Sequence, residues 1–140
     1  MDIRALEPRL HVSAQIRPED LPSIAALGYR ALIGNRPDGE APDQPTTESL
    51  RSVARALGLD FVFIPVRGSA ISPSDINCFT QALNDLPQPI LGFCRTGTRT
   101  TTLWALSQAQ ARPAEEIIAA ADRAGYDLEA LRPRLEEAAA

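Results

Sequence analysis

In the stretch FCRTGTRTTTLWAL, residues 93–106, an apolar segment ends at a cysteine, a glycine-containing turn follows, and a second apolar segment starts at once. Pro89-Ile90-Leu91-Gly92-Phe93 reads as a short central strand, and Thr101-Thr102-Leu103-Trp104-Ala105-Leu106 as the opening of a helix. A strand, a tight turn and a helix therefore meet at Cys94.

The same alternation runs outward in both directions. Leu10 to Ser13 reads as a strand, and Arg17-Pro18-Glu19-Asp20 puts acids in a first helical turn ahead of Leu21, Ile24, Ala25 and Leu27, with Gly28 as the stop. Tyr29 to Ile33 is a second strand, followed by the loop NRPDGEAPDQP, whose proline, glycine and aspartate content forbids regular structure. A helix begins near Thr46 or Thr47, with Leu50, Val53, Ala54 and Leu57 at i, i+3, i+4 and i+7 and Gly58 at its end. Phe61 to Val66 is an almost wholly apolar third strand of the kind covered on both faces. Ser72-Pro73-Ser74-Asp75 has the order of a helix start: capping residue, proline, then acid near the positive end of the dipole. Ile76, Phe79, Leu83 and Leu86 form its buried stripe, and Cys78 beside that stripe is expected to be structural. Pro113 to Ala124 and Asp127 to Ala140 are Ala-rich helical segments separated by Gly125.

Strands alternating with helices imply parallel pairing through right-handed crossovers, so an α/β fold is expected with a parallel-type central sheet flanked by helices and sites at the carboxyl ends of the strands. With 140 residues, 44% hydrophobic and 23% charged, the chain suits a single domain over 1–140, its helical C-terminal segment at 113–140 included. The 14 basic residues, all arginine, are outweighed by 18 acids for a net charge of -4, which argues against nucleic-acid binding and against a basic membrane surface. No apolar run is long enough to cross a bilayer. Two cysteines and an opening MDIRALEPRL without the basic and apolar regions of a secretory signal suggest a reducing cytoplasm. One histidine and no CxxC pair argue against a metal site, and no cofactor is expected.

The loop after Phe93 carries the chemistry. Backbone N–H groups that wrap round a point and feed a helix N-terminus make an anion nest, because the amides and the helix dipole both favour negative charge. Gly97 allows the positive φ of such a curl. Cys94 at its centre is the expected nucleophile, acting as thiolate. Arg99 offers a planar fork to two oxygens of a tetrahedral anion, and Thr100 is positioned to donate its hydroxyl to the sulfur. Arg95, Thr96, Gly97 and Thr98 would surround a small anionic substrate: a persulfide, a thiosulfate or a phosphate ester. Arg36, Asp38 and Glu40 follow the second strand at the same rim of the sheet, either lining the site or forming a solvated loop. His11, Leu103 and Trp104 read as structural, and Arg67 as a solvated charge.

LHVSAQIRPEDLPSIAALGYRALIGNRPDGE (residues 10–40), FVFIPV (61–66), SPSDI (72–76) and FCRTGTRTTTLWAL (93–106) together resemble the phosphatase-like domain of the beta-lactamase hydrolase-like protein family. The Cys-centred loop also resembles those of the tyrosine and dual-specificity phosphatases and of the rhodanese sulfurtransferases. This resemblance implies a tyrosine/dual-specificity phosphatase-like fold. It also implies a link to sulfide-oxidation enzymes, since such domains occur fused to persulfide dioxygenase or sulfide oxidoreductase modules.

Two departures from the phosphatase pattern shape the functional expectation. Arg95, Thr96, Gly97 and Thr98 make four residues between Cys94 and Arg99, one fewer than the phosphatase loop and equal to the rhodanese loop. Dual-specificity phosphatases often carry an aspartate two residues beyond a strand ending Ile-Pro-Val, and Gly68 stands there. Asp75, the nearest substitute, has a capping role at a helix start. Sulfane-sulfur transfer through Cys94 is therefore expected ahead of phosphate-ester hydrolysis through a phosphocysteine, with a non-catalytic anion-binding module as the third reading.

Overall fold

The computed structural model describes residues 1–68 and 70–139. Strand β1 (Arg4–Glu7) turns into β2 (Leu10–Ser13), and a single 3-10 turn at Pro18–Asp20 leads into α1 (Leu21–Ala26). Then come β3 (Ala31–Gly34), α2 (Thr47–Ala56), β4 (Asp60–Phe63), α3 (Pro73–Asp85), β5 (Ile90–Phe93), α4 (Thr98–Gln108), α5 (Ala114–Arg123) and α6 (Arg132–Ala139), the last preceded by a 3-10 turn at Glu129–Leu131.

The sheet order is β1-β2-β5-β3-β4. β5 runs parallel to both neighbours, with Leu91 beside His11 on one side and Leu32 on the other. All four of its residues are buried, as a central strand with helices on both faces requires. Alternate side chains serve two cores. Leu32, Leu91 and Phe93 pack with Ile16, Leu21, Ile24, Leu50 and Ala54 under α1 and α2. Ile33 and Ile90 face the larger core, built with Phe79, Leu83, Leu103, Trp104, Ile117 and Leu135 from α3 to α6.

Local signals place the helices. Thr46 accepts a hydrogen bond from the Ser49 N–H at 3.1 Å and caps α2. Ser72 and Asp75 form a reciprocal capping box on α3, at 3.1 and 2.9 Å. Among the described residues no helix is long and apolar enough to cross a membrane.

Several expectations are corrected. β1 is an additional strand, antiparallel to β2, and its burial lacks the alternation that would reveal it, two exposed residues preceding two buried ones. β4 stops at Phe63 and lies at the sheet edge, so Phe61, Val62 and Phe63 are only half-buried rather than covered on both faces. Leu57 caps α2 beyond its apolar stripe and is exposed. Cys78 is exposed on α3, not packed in the core. α4 starts at Thr98 rather than Thr101, which brings Arg99 and Thr100 into its first turn. Of the expected C-terminal helical segment, Ala140 lies outside the described residues.

Candidate active site

Cys94 follows β5 at the carboxyl rim of the sheet and is 1% exposed. The chain reverses over it. Gly97, with φ +97, is the residue before α4, and its N–H donates to Cys94 Sγ at 3.0 Å. That N–H is a direct donor to sulfur from the nest.

A nest presents N–H groups inward only if its carbonyls are held outward. Here the carbonyls of residues 95, 96 and 97 are all tied. The Arg95 carbonyl accepts from the Gln15 N–H at 3.3 Å. The Thr96 carbonyl accepts from the Tyr126 hydroxyl at 3.2 Å. The Gly97 carbonyl accepts from the Thr101 N–H at 3.0 Å and from its hydroxyl at 2.8 Å. The Thr96 hydroxyl also receives the Thr98 N–H at 3.3 Å and donates to the Thr98 hydroxyl at 3.0 Å. Arg95, Thr96 and Thr98 have exposed side chains around this ring, and Gly97 is buried within it.

Arg99 is fixed from behind. Its Nη1 donates to Glu40 Oε2 and its Nη2 to Glu40 Oε1, both at 2.8 Å, and Nη1 also donates to the Val66 carbonyl at 3.0 Å. A guanidinium has five N–H groups in one plane. Three are used, and the two left, on Nε and Nη2, share the edge that can take two oxygens of an anion. Bonding to Glu40 is the main reason that Arg99 is held even more firmly protonated than usual, and the adjoining Cys94 sulfur adds to it. Hydrogen bonds from Arg99, with burial opposing and Arg36 assisting, take the Glu40 carboxyl from 4.5 to about 2.

Arg36, 8% exposed, donates to the same carboxylate through Nε at 3.0 Å and to Gln15 Oε1 through Nη1 at 3.3 Å. The loop after β3 thus belongs to the rim of the site through Arg36 and Glu40. Two expected site residues have other duties. Asp38 Oδ1 accepts from both the N–H and the hydroxyl of Thr47 at 2.8 Å, which ties the loop to the start of α2 instead of facing the cysteine. The Thr100 hydroxyl donates to Asn35 Oδ1 at 2.8 Å, not to the sulfur. Asn35, fully buried, passes the connection on by donating to the Ile64 carbonyl at 2.8 Å, so Thr100 pins α4 to the ends of β3 and β4.

Four contributors were not expected: Gln15, Asn35, the Val66 carbonyl and Tyr126. The first three lie just past the carboxyl ends of β2, β3 and β4, where parallel-sheet geometry gathers functional groups; that position is the signal that marks them. Tyr126 follows α5 and carries no local signal. No ionisable acid stands at position 68, since Gly68 is confirmed there with φ +47 and open space around it. His11 pairs with the Tyr29 hydroxyl at 2.6 Å, and its burial lowers its pKa, a structural role as expected.

The family model described as "Beta-lactamase hydrolase-like protein, phosphatase-like domain" matches residues 2–111. A beta-lactamase hydrolase-like protein of Agrobacterium fabrum is 39% identical over 104 residues, 74% of this chain and 24% of the relative, so the chain spans about a quarter of that protein's length. A crystal structure from Neisseria meningitidis, of a protein assigned provisionally to the phosphatases, is 36% identical with TM-score 0.89 over 99% of both chains. PTPMT1, 14% identical with TM-score 0.71, covers 98% of this chain and 93% of its own, and shares the tyrosine/dual-specificity phosphatase-like fold. The family is phosphatase-like by description, and neither the preference for sulfur drawn from loop length nor a link with sulfide-oxidation enzymes finds support in these relatives. The chain belongs to the family of phosphatase-like domains of beta-lactamase hydrolase-like proteins.

Proposed function

We propose that the chain hydrolyses phosphate monoesters through a phosphocysteine at Cys94. The observation that carries this reading is the Arg99 guanidinium, anchored by Glu40 and Val66 so that its Nε and Nη2 edge stays open beside a buried cysteine whose sulfur accepts the Gly97 N–H. The nest and Arg99 bind the non-bridging oxygens, where charge gathers as the phosphoryl group moves. The sulfur attacks phosphorus. The S–P bond forms as the P–O bond to the leaving group breaks, and the oxygen leaves with the electron pair. Water then attacks the phosphocysteine, S–P breaks, and phosphate departs with the thiolate restored.

With glycine at 68, no side chain there delivers a proton to the leaving oxygen. General acid catalysis contributes about 10²–10⁴-fold, so the preferred substrates are those whose leaving group is stable unprotonated, such as aryl phosphates or acid anhydrides of phosphate. A neighbour of the same fold, SIW14 of S. cerevisiae, is named for inositol pyrophosphates, which belong to that anhydride class.

Sulfane-sulfur transfer is the second reading, and the four-residue spacing from Cys94 to Arg99 is what favours it. Assays of one preparation with p-nitrophenyl phosphate and with glutathione persulfide, each beside Cys94→Ser, test both. Cys94-dependent release of p-nitrophenol supports the proposal. Persulfide turnover without phosphate release overturns it.

A further inference from the structure

Tyr126 reaches the candidate site from the C-terminal segment, beyond the residues 2–111 that carry the family match. Gly125, with φ +93, ends α5 and swings the next residue back toward the sheet. The Tyr126 ring is partly buried against the larger core. Its hydroxyl donates to the Thr96 carbonyl at 3.2 Å. The same hydroxyl lies over Gly97, where an added Cβ would stand only 2.1 Å from it.

The consequence lies in the peptide between Thr96 and Gly97. Its carbonyl is held by Tyr126 and its N–H donates to Cys94 Sγ at 3.0 Å. The two ends of one planar amide point opposite ways, so fixing the oxygen outside fixes the proton on the sulfur. The Arg95 and Gly97 carbonyls are held by backbone N–H groups within the fold. The Thr96 carbonyl instead depends on one side chain thirty positions away.

We infer that Tyr126 is a positioning residue for the anion loop: its hydroxyl sets the 96–97 peptide so that the Gly97 N–H addresses the Cys94 sulfur, making the C-terminal segment part of the active site. Burial raises the Tyr126 phenol pKa, and the adjoining Cys94 sulfur raises it further, so the hydroxyl keeps its proton as a donor at neutral pH. The inference rests on the phosphatase reading for its kinetic consequence and on the loop geometry alone for its structural one.

Tyr126→Phe keeps the ring and removes only the donor. Loss of one neutral hydrogen bond corresponds to about 2–10-fold in an equilibrium. With p-nitrophenyl phosphate, KM is expected to rise by about 3–10-fold with a smaller fall in kcat. Tyr29→Phe, which removes a comparable bond to His11, should leave both constants in place. Kinetics of Tyr126→Phe within twofold of the parent would overturn the inference. If the parent shows no Cys94-dependent turnover, the phosphatase reading falls by itself. Amide hydrogen exchange then decides the positioning role: faster exchange of the Gly97 N–H in Tyr126→Phe supports it, and unchanged exchange refutes it.

Discussion

Arg99 and Glu40, 59 residues apart in the chain, meet through two parallel 2.8 Å hydrogen bonds, with the Arg99 and Glu40 side chains 15% and 28% exposed. A carboxylate beside a substrate-binding arginine could compete with an anionic substrate. The donor geometry shows the opposite arrangement: Glu40 takes one edge of the guanidinium and leaves the adjacent one open. Under the proposed function, the ion pair orients the charge offered to an anionic substrate.

Glu40→Gln therefore should weaken substrate binding rather than strengthen it. The amide keeps one acceptor oxygen and turns an NH₂ toward a guanidinium, leaving a half-buried donor without its partner. The expected cost is about 1–3 kcal/mol of stability, read from urea unfolding, with a higher KM for p-nitrophenyl phosphate. A lower KM would mean that Glu40 occupies the anion site and must be displaced.

The same carboxyl sets a pH window. Its pKa is about 2 in the folded chain against an ordinary 4.5, so the unfolded state binds the proton more readily. The stabilisation from the ion pair is complete above 4.5 and is lost as pH falls from there toward about 2. The stability difference between the parent and Glu40→Gln should hold steady at about pH 7 and shrink at about pH 3. An unchanged difference at about pH 3 would show that Glu40 does not carry the pair's pH dependence.

Gly92 and Thr100 set how closely α4 approaches β5. A Cβ on Gly92 would lie 2.6 Å from Thr100 Cγ2, a clash between a central strand and a fully buried side chain. Gly92→Ala should cost about 1–3 kcal/mol and shift the first turn of α4, which carries Arg99. Thr100→Ser removes the clashing methyl and keeps the hydroxyl for Asn35. In the double variant most of the loss should return, a coupling of about 0.5–3 kcal/mol between contacting sites. Additive effects in denaturant unfolding would refute the steric account.

The legible parts of this fold were those written locally. Ser72-Pro73-Ser74-Asp75 announced α3 because cap, proline and acid stand in one turn, and the Cys94 loop announced itself because Gly97 and the helix start lie beside it. Arg4–Glu7 was illegible because RALE lacks the β-branched residues and the alternation that mark a strand; pairing with β2 makes it one. At the site, Glu40 was legible only as a rim residue, since its pairing with Arg99 depends on how β3 and β5 align. Thr100 is hard to read for a related reason. Its place after Arg99 suggests the sulfur as acceptor, whereas its position in the first turn of α4 points its hydroxyl to Asn35.

Position 68 separates phosphate from sulfur chemistry most directly. Gly68 sits at φ +47, where aspartate is among the less strained of the larger residues, and an added Cβ there meets nothing within 4 Å. Gly68→Asp therefore meets no steric clash, and its backbone strain at this positive φ is one that aspartate bears better than most residues. If a missing proton donor limits hydrolysis, the new carboxyl should speed cleavage of alkyl phosphates by up to about 10²-fold. It should change p-nitrophenyl phosphate far less, because that leaving group departs without a proton. Persulfide transfer should not gain. Inserting one residue between Gly97 and Arg99 acts on the other departure: it should widen the cradle toward phosphate and impair any persulfide turnover, because the ring then closes less tightly round a single sulfur. Should Gly68→Asp leave the ratio of alkyl to aryl hydrolysis unchanged, the absent acid is not what restricts the enzyme, and the leaving-group argument for its substrates fails.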